Sequence, residues 1–190
     1  MTSISILGTG NMGTAIATIF ADGGATVETL EHSHEPTAFA GDIVVLAVPY
    51  SALPDIADKY REQLAGKTVV DITNTVDFAT FQPVEFEAGS GAADLAARLP
   101  ESKVLKAFNT NLAPTLAAKT VGGRTTTVIV AGDDADAKAA LIEAITAGGL
   151  DAVDAGPLAR ARELEAVGYL QMGLVLGGQM NWTDALGVIK

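Results

Sequence analysis

Short apolar runs alternate along the chain with longer segments in which apolar residues recur at helical spacing. The run DIVVLAVP, at positions 42–49, is almost continuously apolar, which is typical of a parallel strand covered by helices on both faces. Farther along, Ile56, Tyr60 and Leu64 recur every four residues and predict a helix with one buried stripe. This alternation predicts an α/β protein with a Rossmann-like, doubly wound and mainly parallel sheet, followed by C-terminal helices.

The same patterns place the individual elements and one irregular connection. The predicted strands span residues 4–7, 26–30, 43–48, 68–72, 104–108, 126–130 and 152–153, and the predicted helices span residues 13–21, 51–64, 92–99, 134–147 and 159–176. Only ten residues, HSHEPTAFAG, separate Glu31 from Asp42, which predicts a loop with at most one helical turn. Residues 1–155 are expected to form a dinucleotide-binding domain, and residues 156–190 a helical tail that packs on it or on a second subunit.

The composition of the chain argues against several classes of binding partner and site. With 23 acidic and 12 basic residues the chain has a formal net charge of −11, so nucleic acid and anionic membranes are not expected partners. The absence of cysteine excludes disulfides and thiolate metal sites, and the two histidines do not predict a metal site. The apolar stretch 166–182 contains Gln171, Gln179 and Asn181, which favours a buried or dimer-facing helix over a membrane span. Because the N-terminus enters a strand directly, we expect a cytoplasmic protein.

The first predicted strand leads into Gly8, Gly10 and Gly13, which have the GxGxxG spacing of dinucleotide-binding loops. In such a loop the first glycine permits a tight turn, the second lets a pyrophosphate approach the backbone, and the third lets helix and strand pack closely. Glu31 follows the second strand, where an acidic residue typically binds the ribose hydroxyls of NAD. The run HSH that follows can instead contact a phosphate, which leaves the choice between NAD and NADP open at this point.

Four further stretches resemble one enzyme family. They are DIVVLAVPYSAL (42–53), KTVVDITNTVDF (67–78), LAARLPESKVLKAFNTNLAPTL (95–116), and VAGDDADAKAAL followed by GGLDAVDAGPLARARELE (within 130–165). Together with the glycine loop they resemble the NADP-dependent coenzyme F-420 (deazaflavin) reductase family, in its bacterial dinucleotide-binding oxidoreductase branch. This resemblance covers nearly the whole chain. It implies an NAD(P)-dependent oxidoreductase that transfers hydride between a nicotinamide dinucleotide and a flavin-like, deazaflavin-like or other small acceptor.

The resemblance also implies a set of cofactor-binding residues. They are Gly8, Thr9, Gly10, Asn11, Met12 and Gly13 at the pyrophosphate; Glu31, His32 and Ser33 at the adenosine ribose; Val48, Pro49 and Ala52 beside the adenosine; Asn74 and Thr75 near the nicotinamide ribose; and Phe108, Asn109, Thr110 and Ala113 at the carboxamide and acceptor pocket. The family's Ser-Arg pair, which holds the 2′-phosphate of NADP, falls on Glu31 and His32. The family therefore favours NADP(H) and Glu31 favours NAD(H), and we expect NADP(H) ahead of NAD(H).

No residue is identified as catalytic. Both histidines fall at the adenosine end. The acceptor pocket offers Asn109, Thr110, Asn111 and Tyr50, none of which is a strong acid at neutral pH. Such a pocket suits a flavin or deazaflavin acceptor, which takes up hydride without a demanding proton transfer. Two alternatives remain open: a nucleotide-binding sensor without turnover, and a dehydrogenase of a small carbonyl compound. The apolar tail predicts a homodimer.

Overall fold

A seven-stranded sheet organises the protein, whose computed structural model describes residues 2–31, 38–77 and 79–188. The strands are β1 (Ser3–Leu7), β2 (Thr26–Leu30), β3 (Ile43–Leu46), β4 (Thr68–Asp71), β5 (Val76–Asp77), β6 (Gln82–Pro83), β7 (Lys103–Lys106), β8 (Thr120–Val121), β9 (Arg124–Thr125), β10 (Thr127–Gly132) and β11 (Asp151–Asp154). The sheet order is β11-β10-β7-β4-β3-β1-β2, and its one antiparallel junction lies between β7 and β10. The predicted Rossmann-like, mainly parallel sheet is confirmed.

Helices cover both faces of this sheet. They are α1 (Asn11–Asp22), α2 (Leu53–Leu64), α3 (Gly91–Arg98), α4 (Ala113–Ala118), α5 (Ala135–Ala147) and α6 (Ala161–Leu176). Within β3, Ile43 and Val45 pack into the core formed with α1 and α5, whereas Val44 and Leu46 pack into the core formed with α2 and α3. Burial on both faces is the reason why the run IVVL lacks polar alternation.

Some elements differ from those predicted. The strands end at Leu46 and Lys106, two residues earlier than predicted in each case. Helix α4 and the hairpins β5–β6 and β8–β9 were not predicted, because elements of two to six residues are too short to show a periodicity. The predicted loop between β2 and β3 lies mostly outside the described residues. At its described end, Glu28 of β2 accepts hydrogen bonds from Ser5 Oγ and from Ala40 N (2.7 Å for the latter).

The carboxyl ends of β1, β3, β4 and β7 lie along one edge of the sheet, because these neighbouring strands are all parallel. The chain runs from β1 to β2 on one side and from β3 to β4 on the other, so the topological switch point lies between β1 and β3. Ligands of doubly wound sheets bind in the crevice at that point. In the described part of the chain, none of the helices has both the length and the hydropathy needed to cross a bilayer.

Candidate functional site

In the glycine loop between β1 and α1, two glycines are packed against protein atoms and the third faces open space. Gly8 has a φ of 118°, and a Cβ there would lie 2.1 Å from the carbonyl oxygen of Ala47. A Cβ on Gly13 would lie 2.0 Å from the carbonyl oxygen of Gly8. By contrast, a Cβ on Gly10 would meet no protein atom within 4 Å. Packing therefore explains the first and third glycines, whereas the open side of Gly10 is where a phosphate group can reach the backbone.

The first turn of α1 is suited to bind an anion. Gly10 occupies the N-cap position and supplies no side-chain cap, and the first turn carries no acidic residue. The N–H groups of this turn lack helical partners, and the helix dipole places partial positive charge at the same point. A phosphate or pyrophosphate fits this end of the helix without any basic side chain.

A first cavity, of about 330 Å³, opens beside the glycine loop. It lies at the carboxyl ends of β1, β3 and β4, as expected for the switch point. Its lining consists of Gly10, Asn11, Met12, Gly13, Ala47, Val48, Pro49, Tyr50, Ile72, Thr73, Asn74 and Met172.

A second cavity, of about 440 Å³, lies between the end of β7 and α6. Its lining consists of Asn11, Met12, Ile72, Asn74, Phe108, Asn109, Asn111, Leu112, Ala113, Pro114, Gly168, Gln171, Met172 and Trp182. Because the two cavities share Asn11, Met12, Ile72, Asn74 and Met172, they adjoin each other, and we refer to the pair as the cleft. A long ligand bound at the start of α1 can extend past Asn74 into the second cavity.

A pair of asparagines bridges the ends of β4 and β7 in the middle of this cleft. Asn109 Nδ2 donates to Asn74 Oδ1, and Asn74 Nδ2 donates to the backbone oxygen of Asn109, both at 2.8 Å. Asn109 Nδ2 also donates to the carbonyl oxygen of Leu164 on α6, at 2.8 Å. A Cβ on Gly168 would lie 2.2 Å from Asn74 Oδ1, so only a glycine lets α6 pack this closely against the pair.

The turn after β7 has an unusual backbone at Phe108. Its φ is 61°, in the left-handed region that non-glycine residues rarely occupy, while its side chain is fully buried and meets Phe20 edge to face. The turn is closed by hydrogen bonds from Asn109 N to the Ala107 oxygen and from Asn111 N to the Phe108 oxygen. Such local strain persists when surrounding packing enforces it, and here it directs Asn109 towards Asn74.

A buried cluster of charged side chains lies next to the same strand ends. Lys106 Nζ lies 2.8 Å from Asp71 Oδ2 and 2.9 Å from Glu165 Oε1, and it donates to the carbonyl oxygen of Thr73 at 2.6 Å. Glu165 also accepts from Thr75 Oγ1 and from two N–H groups in the first turn of α3. The cluster thus joins β4, β7, α3 and α6 beneath Asn74 and Asn109.

The structure brings most of the predicted site residues to the cleft. Gly10, Asn11, Met12, Gly13, Val48, Pro49 and Asn74 line the first cavity, and Phe108, Asn109 and Ala113 line the second. Gly8 lies beneath the loop, Thr9 is exposed on it, and Glu31 is exposed just after β2. His32 and Ser33 lie outside the described residues.

Besides Gly8, Thr9 and Glu31, three more of the predicted residues that the structure describes line neither cavity. Thr75 is turned into the protein, where its hydroxyl donates to Glu165 at 3.0 Å. Thr110 is almost fully buried in the turn after β7, and Ala52 packs against the apolar core on the α2 side. Strand-end position alone does not distinguish a side chain that faces the cleft from one that faces the core.

Several residues of the cleft were not predicted. Gln171, Met172 and Trp182 come from α6 and the segment after it, and Lys106 and Glu165 lie beneath the site. One signal in the sequence was available, because Lys106 and Asp71 are charged residues inside strands predicted to be buried. Gln171 likewise interrupts an apolar run.

Comparison with known proteins shows which family this chain resembles. The sequence profile of the family described as "NADP oxidoreductase coenzyme F420-dependent" matches residues 25–75, from the start of β2 to the turn after β4. The F420-dependent NADP reductase of Methanocaldococcus jannaschii is 30% identical over 158 residues, which are 80% of this chain and 70% of that protein. A crystal structure from Arthrobacter sp. FB24, assigned as an F420-dependent NADP-reductase, has a TM-score of 0.83 at 25% identity and covers 100% of both chains.

A longer relative matches only in part. The metalloreductase STEAP3 of Rattus norvegicus is 32% identical over 185 residues. The match covers 86% of this chain but only 36% of that protein, so this chain spans about a third of that relative's length.

Proposed function

Because the chain belongs to the family of F420-dependent NADP reductases, which are NADP-dependent oxidoreductases, we propose that it reduces a planar flavin-like or deazaflavin-like acceptor with a nicotinamide dinucleotide. The observation that carries this proposal is the pair of adjoining cavities, one at the start of α1 and a second, mostly apolar one that shares Asn74 with it. Its two parts provide room for a dinucleotide and for a second substrate side by side.

The residues of the cleft fit a nicotinamide dinucleotide. The open side of Gly10 and the uncapped first turn of α1 would hold the pyrophosphate. Asn74 and Asn109, fixed by each other and by α6, would orient the nicotinamide end. Met12, Ile72 and Met172 line both cavities and would exclude water where the two substrates meet. When bound, a reduced nicotinamide supplies a hydride, and a flavin-like acceptor takes up that hydride together with a proton from solvent.

The chemistry of the lining favours an acceptor that needs no strong general acid. None of the described residues that line the two cavities is Asp, Glu, His, Lys or Arg, and Tyr50 is the one titratable side chain among them. Oxidation of an alcohol or reduction of a carbonyl compound ordinarily uses a positioned acid or base. Reduction of a conjugated ring depends chiefly on orientation and exclusion of water, which this cleft supplies.

Steady-state oxidation of NADPH and NADH with riboflavin, a deazaflavin and a ferric chelate tests the proposal. We expect turnover with at least one ring acceptor. Tight nucleotide binding without turnover on any acceptor would instead support a sensor. Turnover confined to small carbonyl compounds, with a pH–rate profile that reveals an essential base, would support a dehydrogenase.

We propose NADP(H) as the cofactor, on the strength of the family, although Glu31 stands where the 2′-phosphate would lie. Replacing Glu31 with Ser removes a carboxylate that repels this phosphate, so the ratio of NADH to NADPH dissociation constants should rise about fivefold to tenfold, equivalent to roughly 1 kcal/mol. Adding His32→Arg should increase the shift. Isothermal titration with both nucleotides measures the ratio. Glu62→Ser, the same change at an exposed position of α2, is the control, and an unchanged ratio in Glu31→Ser would show that the ribose lies elsewhere.

We also propose that α6 mediates a homodimer. Leu170 is 55% exposed and Leu176 is 64% exposed, and large apolar side chains on one helix are common at subunit interfaces. Light scattering at micromolar concentration should give twice the 19.4 kDa mass of the chain. A monomeric mass would remove this part of the proposal.

A further inference from the structure

The segment that follows α6, residues 177–188, contributes Trp182 to the lining of the second cavity. It turns at Asn181, whose N–H donates to Asp184 Oδ2 at 2.7 Å, and then returns to the body of the protein. There, Leu186 N donates to Gln171 Oε1 at 2.9 Å, and Thr127 Oγ1 donates to the carbonyl oxygen of Val188 at 3.1 Å. These contacts hold Trp182, which lines the cavity and is 54% exposed, at its outer side.

Gln171 presents a fixed hydrogen-bond donor to this cavity. The side chain is 1% exposed and belongs to the cavity lining. Its Oε1 accepts from a backbone N–H, which fixes the orientation of the amide and directs Nε2 away from Leu186. Within the described ranges, no residue accepts a hydrogen bond from Nε2. Nε2 is not among the fully buried atoms that lack a partner, so it is open to the cavity. A ligand oxygen at this position would replace water as its hydrogen-bond acceptor.

Two further polar atoms of the same lining lack partners. Asn109 Oδ1 and Asn111 Oδ1 are buried, and neither accepts a hydrogen bond from any residue that the structure describes. The other amide atom of each residue is engaged, with Asn109 Nδ2 on Asn74 and Leu164 and Asn111 Nδ2 on the carbonyl oxygen of Thr127. The rest of the wall is mainly apolar, with Leu112, Pro114 and Met172. Because both asparagine oxygens are buried away from the open space, the cavity combines apolar walls with one donor that a ligand can reach, Gln171 Nε2.

We propose that Gln171 determines acceptor specificity by donating a hydrogen bond from Nε2 to a ring carbonyl oxygen of a planar acceptor, and that Trp182 packs against the face of that ring. This inference rests on the proposed function and names the acceptor class: a conjugated heterocycle that carries ring C=O groups. A planar ring without a carbonyl group would fill the same space but would leave the Gln171 donor unpaired.

Binding of two tricyclic probes to the full chain tests this proposal. Riboflavin carries ring carbonyl groups, and phenazine has a similar planar shape without them. Trp182 is the one tryptophan of the chain, so quenching of its emission reports occupancy of this cavity. With NADP⁺ present at saturation, we expect the wild-type chain to bind riboflavin at least tenfold more tightly than phenazine. Equal affinity for the two probes would overturn the proposal.

The variant Gln171→Glu keeps an oxygen for Leu186 N and removes the donor. We expect riboflavin affinity to fall tenfold or more, whereas affinities for phenazine and NADP⁺ stay within twofold. Gln179→Glu makes the same chemical change at an exposed position of the C-terminal segment and should leave all three affinities unchanged. Equal losses for riboflavin and phenazine in Gln171→Glu would indicate a purely structural role and refute the proposal.

The wild-type comparison between the two probes remains decisive if the variant does not fold. It also separates this inference from the function on which it rests. A chain that oxidises NADPH with riboflavin or a deazaflavin, but binds riboflavin no more tightly than phenazine, would contradict only the role of Gln171. A chain that binds no nicotinamide nucleotide would contradict the proposed function itself.

Discussion

Gly10 adopts a φ of −71° and a ψ of −176°, angles that alanine also adopts, and a Cβ there would meet no protein atom within 4 Å. Gly10→Ala should therefore leave the melting temperature unchanged. A methyl group at the start of α1 would push the pyrophosphate away from the N–H groups, so NADPH should bind about tenfold more weakly, which corresponds to the loss of one charge-assisted hydrogen bond. Titration calorimetry measures this change.

Gly187 provides the matched control for that variant. A Cβ there would also meet no protein atom within 4 Å, and the residue lies outside both cavities. Gly187→Ala should therefore bind NADPH with wild-type affinity. Wild-type NADPH affinity in Gly10→Ala would show that the phosphates do not bind at the start of α1.

Lys106 carries the positive charge of the buried cluster and faces two carboxylates, those of Asp71 and Glu165. Lys106→Met would leave both carboxylates buried without a cation, and should lower the free energy of unfolding by about 3–5 kcal/mol. Glu165→Gln keeps the pair between Lys106 and Asp71 and retains an oxygen for the N–H groups of α3, so its effect should be much smaller. Urea denaturation at pH 7 compares the two variants. Similar losses would mean that the charge balance of the cluster is not what stabilises it.

At the scale of elements, helix α5 is capped by Asp134. Its Oδ1 accepts from Ala137 N at 2.8 Å, and this bond, with a smaller contribution from Lys103, holds the pKa of Asp134 below its usual value. A lowered folded-state pKa means that the cap stabilises the protein above the pKa of the unfolded state. The contribution is lost as the pH falls through the folded-state pKa. Asp134→Ala should therefore lower the melting temperature at pH 7 and have little effect near pH 2.

The exposed Asp136, in the first turn of the same helix, is the control for Asp134. Asp136→Ala removes an equal charge without removing the capping oxygen, so it should change the melting temperature less at pH 7. Scanning calorimetry at several pH values gives both comparisons. A deficit in Asp134→Ala that did not depend on pH would exclude the ionised cap as its cause.

Elements whose identity depends on local pattern were predictable from the sequence. The apolar run of β3 predicted burial on both faces, and the spacing of Gly8, Gly10 and Gly13 predicted a strand, a tight turn and a helix in that order. Helix α4 was not predictable, since six residues make fewer than two turns. The left-handed backbone of Phe108, which ends β7 early, also has no sequence signature, because packing rather than residue type enforces it.

Side-chain partners of the candidate site depend on contacts between residues far apart in the sequence. Thr75 follows a strand end, as predicted, but Glu165 lies ninety positions later and turns its hydroxyl away from the cleft. Gln171 is remote in sequence from the glycine loop, and its proposed role depends on Leu186, whose N–H holds its oxygen. Local pattern thus located the cleft, while pairings across the sheet determined which side chains face it.

At the scale of the whole molecule, the two cavities meet along a shared lining that includes Met12, Asn74 and Met172. A nucleotide that extends from the glycine loop to Asn74 would leave the part of the cleft near Trp182 free for the acceptor. Neither substrate then has to depart before the other arrives, so both should be present in one ternary complex. Double-reciprocal plots of initial rate against acceptor concentration, each at one fixed NADPH concentration, should accordingly intersect. Parallel lines would mean that the two substrates occupy the same place in turn.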